Sequence, residues 1–351
     1  MINVIRYRYW YFLFSLLIIV PGFMFFLAGG LKLGIDFTGG TELTLRFTSA
    51  HPSVRLENQI SSAALSNAKL SEAQVVSSTP LGGAGNGGAH YLVRIPFIGD
   101  SPQKLAAVLA PLYQEYGCAS LVKTAGHGQY VTPLANCKNV VLEQETDVGG
   151  AIGSQIRSRA VTAVIVAAVF ILLYISFAFR KVAHPFRYGT CAIIALLHDV
   201  LVVIGLFSIF GRFLGVTVDS LFVTAVLTVI GFSVHDTIVI FDRIRENMAR
   251  RIGEPFELVV NNAILQSMAR SLNTSLTVLM TLTALLLFSG ASIRIFVVTL
   301  LIGITSGTYS SIFNASPLLV VWENDELGIG KFIQRIRKNR ADRARRPAAA
   351  R

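Results

Sequence analysis

Two pairs of neighbouring ionisable residues and one arginine stand where the sequence is otherwise apolar. His235 and Asp236 lie in "IGFSVHDTIVIFDRIREN" (Ile230–Asn247), His198 and Asp199 in "LLHDVL", and Arg270 opens "RSLNTSLT". A charge at mid-bilayer costs about 2.5–3.5 kcal/mol on insertion scales, so such groups are expected to face a bundle interior and to find partners. The chemistry open to them is proton transfer. A carboxylate among apolar helices can take up and release a proton as its surroundings change, and a permanently charged arginine can stabilise its ionised form. This gives a relay in which Asp236 carries the proton and Arg270 is its counter-charge, with His235, Asp199 and His198 as further members. Plainer roles stay open: Arg270 can snorkel to the headgroups, and His198 and His235 can be packing residues bonded to carbonyls or hydroxyls. Hydrolysis is disfavoured. Adjacent helical residues point about 100° apart, so neither His–Asp dipeptide forms a base and its orienter, and no GxSxG or HExxH pattern accompanies them. The chain is therefore expected not to be an enzyme, and to hold no cofactor and no metal.

Placing such groups in a membrane requires spans. Of 351 residues 53% are hydrophobic and 15% are charged, against about 25% charged in a soluble domain. A span needs about 20 mostly apolar residues. Six stretches qualify: Tyr9–Ala28, Ala160–Phe179, Tyr188–Phe210, Val218–Phe241, Leu272–Phe288 and Ile293–Val321. The fifth is short, and the sixth is long enough to tilt. The first is too long for a signal core and lacks a small-x-small cleavage site, so it reads as an uncleaved span. Arg6, Arg8, Arg180, Lys181, Arg187, Arg243, Arg245, Arg250, Arg251, Arg270 and the Arg-dense tail all fall on one side if the spans alternate. That side is cytoplasmic by the distribution of Lys and Arg, and both termini lie there. The net charge of +11 then reflects topology and attraction to membrane lipid. No aromatic-interleaved basic groove suggests nucleic acid.

Within the fourth span Thr224, Thr228, Gly231 and His235 recur at steps of four, three and four, which makes one helical stripe. Ser233 and Asp236 occupy the adjacent one. Gly231 would let another helix approach, as would Gly303 and Gly307 in the last span. The insert between the first two spans alternates apolar and polar residues in "TELTLRF" and continues through helix, strand, Gly-rich turn, strand, helix and strand. This βαββαβ order is the split ferredoxin-like arrangement. The expected fold is thus a polytopic α-helical membrane protein with six transmembrane helices and an α+β ferredoxin-like domain between helices 1 and 2. Its parts are residues 1–35 (N-terminus and first helix), 36–157 (outer domain and connection), 158–321 (helices 2–6) and 322–351 (basic cytoplasmic tail). Cys118 and Cys137 fall in the exported domain, where a disulfide can persist, though two free thiols are equally compatible. Asp36, Gly39 and Gly40 in "DFTGG" read as a hinge or an ordinary tight turn.

Taken together, "GIDFTGGTEL", "VGGAIGSQIRSRA", "ALLHDV", "GFSVHDTIVIFDRIREN" and "RSLNTSLT" resemble the SecD/SecF family of bacterial protein-export membrane proteins, itself similar to the resistance-nodulation-division transporters. The resemblance covers about residues 34–317 and is specific in combination and order. It implies a subunit on the SecF side that works with SecD and the Sec translocon channel in the bacterial inner membrane. There it would use the proton-motive force to complete export of unfolded polypeptide, with Asp236 and Arg270 in the proton path. Where the family usually has Asn before that Asp, this chain has His235. Two rivals remain: a half-transporter for a small hydrophobic compound, and a scaffold of the translocon that conducts no protons.

Overall fold

The computed structural model describes residues 3–48, 53–70, 74–77, 89–99, 101–116, 137, 139–180, 185–250, 252–288 and 291–326. In chain order a 3₁₀ turn (Ile5–Tyr7) leads into α1 (Arg8–Gly29), followed by α2 (Ile35–Thr38), β1 (Gly40–Phe47), α3 (Ser53–Ser66), β2 (Gln74–Ser77), β3 (Ala89–Ile95), α4 (Pro102–Glu115), β4 (Val140–Val148), α5 (Gly150–Ala178), α6 (Pro185–Leu214), α7 (Ser220–Arg250), α8 (Phe256–Phe288), α9 (Ala291–Ser310), a π-helical turn (Ser311–Ala315) and α10 (Ser316–Glu323). Among the described residues six helical stretches are long and apolar enough to cross a membrane: α1, α5, α6, α7, α8, and α9 continued through the π turn into α10.

Three of these helices run well beyond the apolar stretches that predict them, α5 by starting at Gly150 rather than at Ala160. α7 continues past Phe241 because its polar end is laced by short-range ion pairs, Arg245 with Asp242 at 2.6 Å and Arg243 with Glu246 at 2.5 Å. α8 begins at Phe256 rather than near Leu272. Its first turns bury Val259, Val260, Ala263 and Ile264 against α10 and the N-terminal 3₁₀ turn, and the Val4 N–H donates to Asn261 Oδ1 at 2.8 Å. Hydropathy alone misses such a segment, because half of its surface is polar. At the same end Arg8 pairs with Glu326 at 2.5 Å. Burial alone would raise the Glu326 carboxyl, but hydrogen bonds from Tyr9, Asn324 and Arg8 outweigh it and hold the group below its ordinary value.

The insert forms one antiparallel sheet in the order β2-β3-β1-β4. With α3 and α4 this is the βαββαβ arrangement that the alternating pattern predicts. β1 lies in the middle, with Leu43 opposite Val93 and Phe47 opposite Ala89. Leu43, Leu45 and Phe47 are fully buried with Leu56, Ile60, Val108 and Leu109 of the two helices. On the other face Glu42 pairs with Arg94 at 2.6 Å and Arg46 with Glu143 at 3.0 Å. Cys137 is disulfide-bonded. Cys118, most of the Gly-rich turn and the basic tail lie outside the described residues. Cys191 is a buried free thiol in α6.

The "GIDFTGG" segment joins this domain to the helices. Gly34 N–H donates to the Val218 carbonyl at 2.7 Å, and Val218 N–H to the Lys32 carbonyl at 2.8 Å. The Asp36 carboxylate accepts the Ser220 backbone N–H at 2.9 Å and the Ser220 hydroxyl, which caps the start of α7. Gly39 (φ +77°) packs so closely on α5 that a Cβ would lie 2.7 Å from the Gly150 Cα. In return, a Cβ on Gly153 would lie 2.9 Å from the Gly39 nitrogen. Asp36, Gly39 and Gly40 therefore form a tight turn braced by α5 and α7, and the two glycine motifs far apart in sequence are halves of one contact.

Candidate functional site

The site lies where α6, α7 and α9 meet. Their approach depends on small residues: a Cβ on Gly303 would fall 2.1 Å from Val229 Cγ2, and one on Gly307 would fall 3.0 Å from Ser233 Cβ. With α9 that close to α7, serines from both helices converge on the carboxylate that α6 supplies. Asp199 is 1% exposed. Its Oδ2 accepts hydrogen bonds from Ser233 at 2.5 Å and Ser310 at 2.7 Å, and its Oδ1 accepts one from Ser306 at 2.7 Å. His198 Nδ1 lies 3.0 Å from Oδ1, while His198 Nε2 is buried without a partner. A hydrogen bond to a charged group contributes about 1.5–3 kcal/mol. Three of them would offset the insertion cost of an ionised Asp199, about 2.5–3.5 kcal/mol, and in either charge state they tie α6 to α7 and α9.

Asp236 differs. It is 3% exposed and one helical turn beyond Ser233 on α7, yet its buried Oδ2 accepts no hydrogen bond. Around it the helices are joined by hydroxyls. Ser311 Oγ lies 2.8 Å from Thr237 Oγ1 and 3.2 Å from the Ser233 carbonyl, and Thr237 donates to that same carbonyl at 3.0 Å. Ser311 begins the π turn, where Ser316 donates to the Ser311 carbonyl at 3.1 Å. Single π turns in α-helices occur often at functional sites. This one also turns Asn314 towards Ser15 of α1, at 2.8 Å. One carboxylate is therefore fixed by donors, and a second, on α7, has no donor among the described residues for its buried oxygen.

Several expectations from sequence need correction. Arg270 does not pair with Asp236. It is exposed on α8 and makes no ion pair among the described residues. The stripe Thr224, Thr228, Gly231 and His235 does not face the bundle interior either, since all four are exposed. A Cβ on Gly231 would meet nothing within 4 Å, so Gly231 packs against no helix of this chain, unlike Gly303 and Gly307. The interior of α7 is instead the neighbouring stripe, Val229, Ser233, Asp236 and Ile240. A second exposed polar row runs along α8 through Arg270, Thr274, Thr277 and Thr281, their hydroxyls bonded to their own helix. Sequence reasoning does not single out Ser306 and Ser310. Their four-residue spacing, opposite a span that holds an aspartate, is the signal that marks them as donors.

Outside the spans, Asp219 caps α7 by accepting the Phe222 N–H at 2.9 Å. Burial, with the nearby Asp36 charge, raises its carboxyl above the ordinary value despite that bond.

Fold and site together define a multi-pass helical membrane protein with a ferredoxin-like domain after its first span and ionisable groups buried between helices. Residues 130–325 match the family of the protein export membrane protein SecD/SecF, C-terminal region, and residues 25–50 match the SecD/SecF GG motif. The chain belongs to the SecD/SecF family of protein-export membrane proteins. It is 50% identical to the protein translocase subunit SecF of Thermobaculum terrenum over 93% of its own length and 95% of that protein. It is 41% identical to the SecF subunit of Anaerolinea thermophila over 93% and 96%. Among solved structures it is similar to SecDF, a translocon-associated membrane protein from Thermus thermophilus, with a TM-score of 0.72 and 31% identity. It covers 92% of this chain but only 39% of that longer one.

Proposed function

We propose that this chain is the SecF-type subunit of a Sec protein translocase and that, with a SecD partner, it couples proton movement to late steps of polypeptide export across the bacterial inner membrane, with both termini cytoplasmic. The observation that carries the mechanism is the contrast between the two buried carboxylates. Asp199 is held by three serines of α7 and α9, so it fixes how α6, α7 and α9 pack. Asp236 lies one turn beyond Ser233 on α7, beside the Thr237–Ser311 contact, with a buried oxygen that has no partner among the described residues. Loading and unloading its proton changes what α7 offers to the π turn of the last span. α7 is anchored at its other end to Asp36, and the turn after Asp36 is braced on α5. Movement of α7 against α9 is thereby passed to the β-sheet domain.

The exposed polar rows on α7 and α8 support a second membrane subunit. Polar residues that face lipid are costly, so the partner's helices are the natural cover for Thr228, Gly231, His235 and Arg270. In this reading Arg270 approaches the relay only in the complex. One proton crossing 100 mV releases about 2.3 kcal/mol, so a few per cycle suffice to shift a two-state packing equilibrium. The test is export into sealed vesicles from cells carrying this chain and its partner, with and without a proton gradient. Asp236→Asn is expected to abolish the stimulation by the gradient while leaving the export seen without it. Retained stimulation would favour the scaffold reading.

A further inference from the structure

A crevice opens between α5, α6 and α7 beside the segment that follows α1. It encloses about 290 Å³, and its walls include Leu33, Phe37, Val161, Val200 and Phe222, with Arg157 as the one charged residue lining it. All these residues lie in the half of the bundle nearest the β-sheet domain. Apart from the arginine the walls are apolar, and α5 shows most of its apolar surface outward, with Val161 and Ile165 both exposed. The volume is at the small end of ligand sites, about 300–1,000 Å³, and suits a slender chain rather than a bulky molecule. Arg157 is exposed and makes no hydrogen bond or ion pair through its side chain among the described residues. Arg159 is two residues further along α5 but does not line the crevice.

We propose that the crevice binds one anionic phospholipid of the surrounding bilayer, an acyl chain lying between α5 and α7 and the headgroup phosphate on Arg157. The occupant follows from chemistry on both sides. At this depth the medium that competes for an apolar groove is the acyl chain itself. A guanidinium without a partner among the described residues matches a phosphate with two parallel N–H donors. The lipid would wedge against Phe37 and Phe222, which flank the Asp36–Ser220 anchor of α7. The proposal is independent of the proton relay.

The test uses the full chain with its partner subunit in nanodiscs that contain a trace of phosphatidylglycerol with a diazirine in its acyl chain. After illumination, labelled peptides are mapped by mass spectrometry. Label is expected on Val161–Ile165 and Val218–Val226. Arg157→Gln should lower it about fivefold, the scale of one basic side chain against an anionic headgroup. Arg159→Gln, on the same turn but not lining the crevice, should leave it unchanged. A matching phosphatidylcholine probe should label weakly and ignore Arg157→Gln. Val161→Trp, which fills the crevice, should abolish label there while the complex still purifies intact. The proposal is overturned if the crevice walls take no label, if Arg157→Gln leaves the yield unchanged, or if Arg159→Gln lowers it equally.

Discussion

Removing the Ser310 hydroxyl is the most informative single perturbation of the bundle. Ser310 is fully buried, and its Oγ lies 2.7 Å from Asp199 Oδ2. The cost depends on what Asp199 is. If Asp199 is an ionised carboxylate held by donors, Ser310→Ala removes one charge-assisted hydrogen bond and costs about 1.5–3 kcal/mol. If Asp199 is neutral, the bond is an ordinary one between helices, and such bonds in membrane proteins average about 0.6 kcal/mol. Comparing Ser310→Ala in the natural and Asp199→Asn backgrounds separates the cases, because the asparagine keeps the shape and an acceptor but removes the charge. The assay is reversible unfolding in mixed lipid–detergent micelles, read by the loss of helix. The predicted costs are about 1.5–3 kcal/mol with Asp199 and about 0.6 kcal/mol or less with Asn, a coupling of about 1–2 kcal/mol. Equal costs in the two backgrounds would refute the reading of Asp199 as an ionised carboxylate held by donors.

Other predictions concern packing, the junction and pH. Gly303→Val places a Cβ 2.1 Å from Val229 Cγ2 and should cost 1–3 kcal/mol or more by overpacking, about the range seen for enlarged core residues. Val229→Ala should restore much of that stability in the same unfolding assay. Gly231→Ala, by contrast, should leave the isolated chain's stability within about 0.5 kcal/mol, because nothing of this chain is near. Gly39→Ala forces a side chain into a left-handed backbone and against Gly150, so protease should cut the turn between α2 and β1 faster than in the natural chain. Asp219 holds its proton more tightly folded than unfolded, so its share of stability declines as pH rises from the ordinary 3.8 through the raised value. Asp219→Asn keeps the cap on Phe222 and should flatten that part of the stability–pH curve without loss at neutral pH.

The spans and the insert were legible because their patterns are strong. Long apolar runs have few structural alternatives in a membrane protein, and strict alternation in "TELTLRF" can bury Leu43, Leu45 and Phe47 on only one face of a strand. The extra length of α8 was not legible, because its start is amphipathic and depends on Val4 and α10 for cover. At the site, the sequence pointed to Asp236 as the proton carrier and to Asp199 as a further member, but not to the different surroundings of the two. What separates the two is whether serines on another helix reach them, a matter of helix crossing set by Gly303 and Gly307. The same limit explains Arg270. A cation one span away looks like a partner when only its height in the membrane is known, and its rotation about α8 decides otherwise. The stripe through Gly231 and His235 followed from helical spacing, but periodicity does not say which stripe points inward. The clamp of Asp36 on Ser220 joins segments 184 residues apart, which no local pattern encodes.

The relay rests on Asp236 changing its protonation as the complex works, and infrared difference spectroscopy of the reconstituted complex reads this directly. Imposing a proton gradient during export should produce a carboxyl C=O band that rises and falls with turnover, shifts in deuterium oxide and vanishes in Asp236→Asn, while Asp199→Asn leaves it in place. A complex that exports with gradient stimulation and shows no change attributable to position 236 would contradict the relay.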